Sequence, residues 1–186
     1  MFRFIHVLIF KITGWTIVGS FPDHIKKFVI AVAPHTSNWD FTIGVSARSI
    51  LRLYHSRFIG KSQLFKPPVG WFFRWLGGIP VDRSKSQDMV QQVAQHFKSG
   101  DRFVLAIAPE GTRKKVDRLK TGFYYIAKAA GVPIFPVGFD FAKKQVIIDK
   151  PLYPGENAEA DLEKIMSFYR GITGKNPELG LQEQQQ

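Results

Sequence analysis

The chain reads as an α/β domain, a mixed and largely parallel sheet flanked by helices. Two observations predict it. Short continuous apolar runs, Phe28 to Ala33 and Phe103 to Ala108 among them, lack the alternation of a half-exposed strand and read as strands buried on both faces. Helical periodicity fills the stretches between such runs, and alternating strand and helix is the pattern of strands joined by crossover helices. A length of 186 residues suffices for one full core and not for two.

Residues 1 to 20, MFRFIHVLIFKITGWTIVGS, are strongly apolar but interrupted by Arg3, His6 and Lys11. A spanning helix needs about 20 apolar residues, and Lys11 falls inside the segment, so a span is not expected. A secretory leader is not expected either, because the apolar run is short and no small-residue cleavage site follows. On a helical projection Arg3, His6, Thr13 and Thr16 share one side while Phe, Ile, Leu and Val fill the rest. That pattern predicts an interfacial helix lying on a membrane; the competing reading is a helix packed on the domain core. Next come strands at Phe28 to Ala33, Arg57 to Gly60, Arg102 to Ala108, Ile134 to Phe139 and Gln145 to Asp149. Helices are expected at Phe41 to Tyr54, Ser86 to Lys98, Thr121 to Ala130 and Ala160 to Ile172. Met89, Val93 and Phe97 recur every four residues and give the second of these an apolar face. Gly100 and Gly131 stand where helices end on a left-handed glycine. No repeat or linker divides the chain, so residues 21–175 form the domain and the polar stretch 176–186 is expected to be a disordered tail.

The formal charge is +11, from 26 Lys and Arg against 15 Asp and Glu, which points to a polyanionic partner. Nucleic acid, an anionic membrane surface and a phosphorylated ligand all qualify. Between Leu64 and Leu76, Trp71, Phe72, Phe73 and Trp75 cluster with Lys66 and Arg74 nearby. Such rings read as an interfacial surface that admits a lipid chain, with core packing as the alternative. Cysteine is absent, which removes disulfides, thiolate metal sites and a Cys nucleophile, and fits a reducing compartment. The five histidines show no ligand spacing, so no metal is expected.

Two polar clusters follow buried strands, where α/β proteins place their active sites. The first, Pro34-His35-Thr36-Ser37-Asn38-Trp39-Asp40, sets an imidazole and a carboxylate five residues apart. Thr36, Ser37 and Asn38 are all capping residues, so a helix starts at this turn and Asp40 lies in its first turn. From there Asp40 can accept from one imidazole nitrogen of His35, leaving the other unprotonated toward the strand ends. No Gly-x-Ser-x-Gly elbow exists, so the dyad has no protein nucleophile and suits deprotonation of a substrate hydroxyl. The second cluster, Pro109-Glu110-Gly111-Thr112-Arg113, places an acid and a base on a glycine turn. Glu110 could pair with an arginine or orient the turn, and the Gly111 and Thr112 amides could bind an oxyanion. Arg83 and Arg113 offer two guanidinium forks suited to phosphate, with a structural ion pair as the alternative for each.

In sum these blocks resemble the glycerolipid acyltransferase family that includes lysophosphatidic acid acyltransferases and carries a His-x4-Asp motif. Four motifs appear in order: His35 with Asp40, Gly78 to Arg83, Glu110-Gly111-Thr112-Arg113, and Val132 to Val137 with Pro133. The resemblance spans roughly residues 28 to 140, with Ala108 where a Phe often precedes the third motif's proline. It implies that His35 is the base and Asp40 its partner. It also implies that Arg83 and Arg113 grip the acceptor's phosphate and that Glu110, Gly111, Thr112 and Pro133 line the substrate site. The implied reaction moves an acyl chain from a thioester of coenzyme A or acyl carrier protein to a lyso-lipid hydroxyl. The acceptor would be 1-acylglycerol-3-phosphate, with no bound cofactor and no nucleic acid. The expected setting is the cytoplasmic face of a membrane, held peripherally through anionic lipids. Rival readings are transfer to another lyso-lipid, such as an aminoacyl lipid, or a non-catalytic basic module.

Overall fold

A computed structural model of the chain describes residues 3–81, 86–116 and 118–180; Arg83, one of the arginine candidates, and residues 181–186 lie outside the described residues. The elements in order are α1 (Arg3–Thr13), β1 (Thr16–Val18), β2 (Lys27–Val32), α2 (Trp39–Ile50) and β3 (Ser56–Lys61). There follow a 3-10 turn (Ser62–Phe65), α3 (Gly70–Trp75), β4 (Gly78–Val81), α4 (Ser86–His96), β5 (Phe103–Ile107) and α5 (Gly122–Ala130). The chain continues through β6 (Ile134–Asp140), β7 (Gln145–Ile148), α6 (Ala158–Arg170) and a last 3-10 turn (Pro177–Leu179).

The seven strands form one sheet in the order β1-β7-β6-β2-β5-β3-β4. β6 and β7, joined by a tight turn, run antiparallel, and the other pairings are parallel. The mixed, largely parallel α/β fold expected from the sequence is therefore present. Its central strands explain why their sequences read as unbroken apolar runs. In β2 and the residue after it, Val29, Ala31 and Ala33 face a core with α4, α5 and α6, while Phe28 and Ile30 face a second core with α1 and α2. A strand with helices on both faces has no polar side to show. β2 and β5 are neighbours, with Ala31 level with Ile107. The chain leaves β2 through α2 toward one face and leaves β5 through α5 toward the other. Such a divergence opens a crevice at the carboxyl ends of the two strands.

Three elements were not foreseen. β1 falls inside the stretch read as one interfacial helix, which ends at Thr13; Trp15 then turns into the core and residues 16–18 pair with β7. A three-residue edge strand leaves too short a period to tell from helix. β4 contains Pro80, which the sheet tolerates because β4 is its edge strand. α3 is one and a half turns of aromatic residues, too short to generate a helical pattern. The segment expected to be a disordered tail is ordered at its start, where Pro177–Leu179 forms a turn and Asn176 bonds to the body of the domain.

Candidate active site

His35 lies on the loop between β2 and α2. The loop is tied to the sheet at its root, where the Ala33 N–H donates to the Val137 carbonyl at 3.1 Å. At its far end α2 begins, with Asp40 in the first turn and almost wholly buried. The expected caps act differently from the usual pattern. Asn38 makes no side-chain cap bond; the Ser37 hydroxyl accepts from the Trp39 N–H at 3.2 Å, and Asp40 Oδ2 accepts from the Ser37 N–H at 2.9 Å. The same Oδ2 stands 3.0 Å from His35 Nδ1. A carboxylate can only accept here, so Nδ1 carries the ring proton and Nε2 holds the lone pair in neutral His35. The imidazole is 21% exposed and the Asp40 side chain 1%, so the ring reaches the surface from a buried anchor.

Glu110 comes from the turn after β5, beside β2. Its side chain is 1% exposed, and Oε1 accepts from the main-chain N–H of His35 at 2.9 Å. The sequence offered an arginine or the turn itself as its partner; the structure gives it the backbone of the histidine 75 residues earlier. Gly111 makes the turn possible, with φ of +67° and an N–H donating to the Ala108 carbonyl at 3.0 Å. That bond engages the Gly111 amide within the turn, which corrects its expected role as an oxyanion donor. Thr112 Oγ1 accepts from the Lys114 N–H, and the side chains of Arg113, Lys114 and Lys115 are exposed, a cationic stretch that follows closely on Glu110 in the chain.

Two buried carboxylates thus flank one histidine, one on its ring and one on its main chain. Each keeps an oxygen, Asp40 Oδ1 and Glu110 Oε2, without a hydrogen-bond partner among the described residues. Burial pushes the Glu110 carboxyl above its ordinary range; the His35 N–H and charge oppose this, and the Asp40 charge adds to it. Among the described residues, no three His, Cys, Asp or Glu side chains gather as a metal site.

Not every candidate converges here. Pro133 is buried at the start of β6, where its carbonyl accepts from the Val29 N–H at 2.9 Å. It lies level with Phe28, so about 13 Å of strand separates it from the carboxyl end of β2. A proline at the amino end of a buried strand shapes the sheet and does not line the site. The structure also adds a residue that sequence reasoning missed. Asn176 bonds twice to Thr36, next to His35, and no local pattern signals a contact across 140 positions.

Known proteins share sequence and fold with this chain. The family described as Acyltransferase matches residues 17–140. The 1-acyl-sn-glycerol-3-phosphate acyltransferase of Escherichia coli (strain K12) is 35% identical over 114 residues, covering 58% of this chain and 45% of the relative. The protein of the same name from Haemophilus influenzae is 29% identical over 141 residues, covering 69% of this chain and 55% of the relative. This chain therefore spans about half the length of the curated relatives it matches. The crystal structure of the 1-acyl-sn-glycerophosphate acyltransferase PlsC from Thermotoga maritima superposes with a TM-score of 0.57 at 22% identity, covering 91% of this chain and 76% of that one, and shares the fold.

The raised Glu110 carboxyl makes a signed prediction. A native state that holds this proton more tightly than the unfolded chain gains stability below the ordinary value of 4.5 and loses it as pH rises through the native value. Glu110→Gln keeps the acceptor for His35 but cannot titrate. Thermal unfolding from pH 4 upward should show the variant gaining on the parent as pH rises toward neutrality. A difference that stays flat, or moves in the parent's favour, contradicts a raised carboxyl.

Proposed function

The chain belongs to the Acyltransferase family, and on that premise we propose that it transfers a fatty acyl chain from a thioester to the free hydroxyl of a lyso-lipid. The observation that carries this reading is the His35–Asp40 pair, 3.0 Å apart just beyond the carboxyl end of β2. His35 Nε2 takes the acceptor's hydroxyl proton as that oxygen attacks the thioester carbonyl, and Asp40 stabilises the imidazolium that forms. Collapse of the tetrahedral intermediate breaks the carbon–sulfur bond, and the departing thiolate takes the proton back from His35. The new ester leaves on the lipid. Donor and acceptor must be bound together, because no covalent carrier takes part. The cationic turn at Arg113 opposes the charge of a phosphorylated acceptor, and we assign Arg83 the same part by its motif. The acceptor that best fits these charges is 1-acylglycerol-3-phosphate, which the names of the relatives also favour.

The reaction's two substrates carry long apolar chains, and the surface around the site suits them. α1 is packed on α2 by Phe10 and by an Arg3 Nε bond to the Ile50 carbonyl, so the core-packing alternative holds for one side of that helix. Its other side exposes Phe4 and Ile12, each at 75%. Trp39 on the first turn of α2 is exposed as well, as are Trp71 and Trp75 on α3. The aromatic stretch divides in the same way: Phe65 and Leu76 are buried while the two tryptophans face out. We assign these exposed rings to the surface of an anionic bilayer on its cytoplasmic side, with the protein held peripherally. Among the described residues no helix is long and apolar enough to cross a membrane.

Two experiments test the reading. Full-length protein should acylate lyso-lipids from an acyl thioester, with a phosphorylated acceptor preferred over an aminoacyl one. Initial-rate plots should intersect, and His35→Ala should lower turnover by about two to four decades while far-ultraviolet circular dichroism stays unchanged. A folded His35→Ala protein with near-parental turnover rules out the base, and parallel plots rule out direct transfer. In the second experiment, the Phe4→Asp, Ile12→Asp double variant should bind anionic vesicles about tenfold or more weakly, while high salt releases only part of the parent. Full release of the parent by salt shows the contact to be electrostatic and the apolar anchor wrong.

A further inference from the structure

The loop that carries His35 is held at three consecutive residues from three different elements. Glu110, after β5, accepts the His35 N–H, and Asp40, on α2, accepts the Ser37 N–H. Thr36 between them is held from the far end of the chain. Its carbonyl accepts from Asn176 Nδ2 at 2.9 Å and its Oγ1 accepts from the Asn176 N–H at 3.1 Å. Thr36 is 97% buried and Asn176 half-buried, so these bonds lie partly out of water. The approach is close enough to restrict its own sequence: a Cβ on Gly174 would stand 2.8 Å from Thr36 Oγ1 and 3.1 Å from Pro34 Cγ.

The segment leading to Asn176 is itself fixed to the strands that bear the site. The Tyr169 hydroxyl donates to the Ala31 carbonyl at 2.6 Å, and Ile172 packs over Gly138 of β6. The Thr173 carbonyl accepts from the Phe141 N–H at 2.8 Å, just past β6. Residues 169 to 176 therefore run as a strap from β2 across the end of β6 to the histidine loop. All of it lies beyond residue 140, outside the stretch that the family matches.

We propose that Asn176 is a positioning residue for the acyl transfer, setting the peptide between His35 and Ser37 and through it the aim of the His35 ring. The inference rests on the reading of His35 as the base. Glu110 and Asp40 hold N–H groups on either side, but both are acceptors and neither can hold the Thr36 carbonyl. Asn176 supplies the missing donors. Without them the peptide between the two anchored amides can rotate, and reacting groups misplaced by about 1 Å lose up to two decades of rate.

The test compares full-length Asn176→Ala, Asn176→Asp, Thr36→Val, Thr36→Ser and Gly174→Ala with the parent and with His35→Ala, at a temperature well below each melting point. Asn176→Ala, Asn176→Asp, Thr36→Val and Gly174→Ala should each lose about tenfold in kcat with KM for both substrates within about twofold. Melting temperatures should stay within about 4 °C, and Thr36→Ser, which keeps the acceptor, should keep parental turnover. Asn176→Ala removes the donor to the Thr36 carbonyl and Thr36→Val the acceptor of the Asn176 N–H, two bonds that hold one peptide, so the double variant should lose less than the product of the two single losses. Lower melting temperatures with unchanged kcat make the strap merely structural and overturn the proposal, as do losses that multiply in the double variant. If His35→Ala abolishes turnover while the strap variants do not lower it, the base reading stands and the strap's role falls. Turnover retained in His35→Ala overturns the base reading, and the role of Asn176 with it.

Discussion

A histidine held by a buried carboxylate is the constraint on which the arrangement of the candidate site depends. Asp40 is buried, and its Oδ2 accepts from both the His35 ring and the Ser37 main chain. That double bond requires the loop between β2 and α2 to be short and the carboxylate to sit in the first helical turn. It also requires β5 beside β2, so that Glu110 can close over the histidine main chain from the adjoining turn. The strand order and the divergence of α2 and α5 to opposite faces meet these needs together. The sheet is thus a frame for one loop.

Much of this was legible because buried parallel strands leave a loud signal. β2, β5 and β6 appear as apolar runs since helices cover both of their faces, and Gly131 ends α5 in the left-handed conformation its position suggested. The His35–Asp40 contact was legible for a local reason: His35 follows a buried strand and Asp40 lies in the first turn of the next helix, from where the carboxylate can fold back to the ring. Glu110 was recognised as a site residue, but its bond to the His35 main chain was not foreseen, because it reaches across 75 positions and nothing local marks it. The same distance effect hid Asn176. Pro133 failed differently: its motif was found, but a motif does not tell which end of a strand faces the crevice, and Pro133 marks the wrong end.

The surface divides along similar lines. The rings between Leu64 and Leu76 read either as an interfacial surface or as core, and the structure sorts the chain's aromatic residues individually. Phe10, Trp15, Phe28 and Phe135 build the core under α1 and α2, while Phe4, Trp39, Trp71 and Trp75 remain outside it. The exposed set lies on α1, on α3 and on the first turn of α2, the helix that carries Asp40. Phe41 of α2 meets Phe73 of α3 at 6.1 Å between ring centres, so the three helices are packed in series. The exposed rings and the dyad are therefore joined through the same short helix.

The central claim is that Asp40 fixes the proton of neutral His35 on Nδ1 and leaves Nε2 as the base. Nitrogen NMR of isotopically labelled protein, with the His35 signals assigned by their loss in His35→Ala, reads this tautomer directly. The account predicts a neutral imidazole protonated at Nδ1, and a mixed or Nε2-protonated ring in Asp40→Asn. A parent protein whose neutral His35 carries its proton on Nε2 would contradict it.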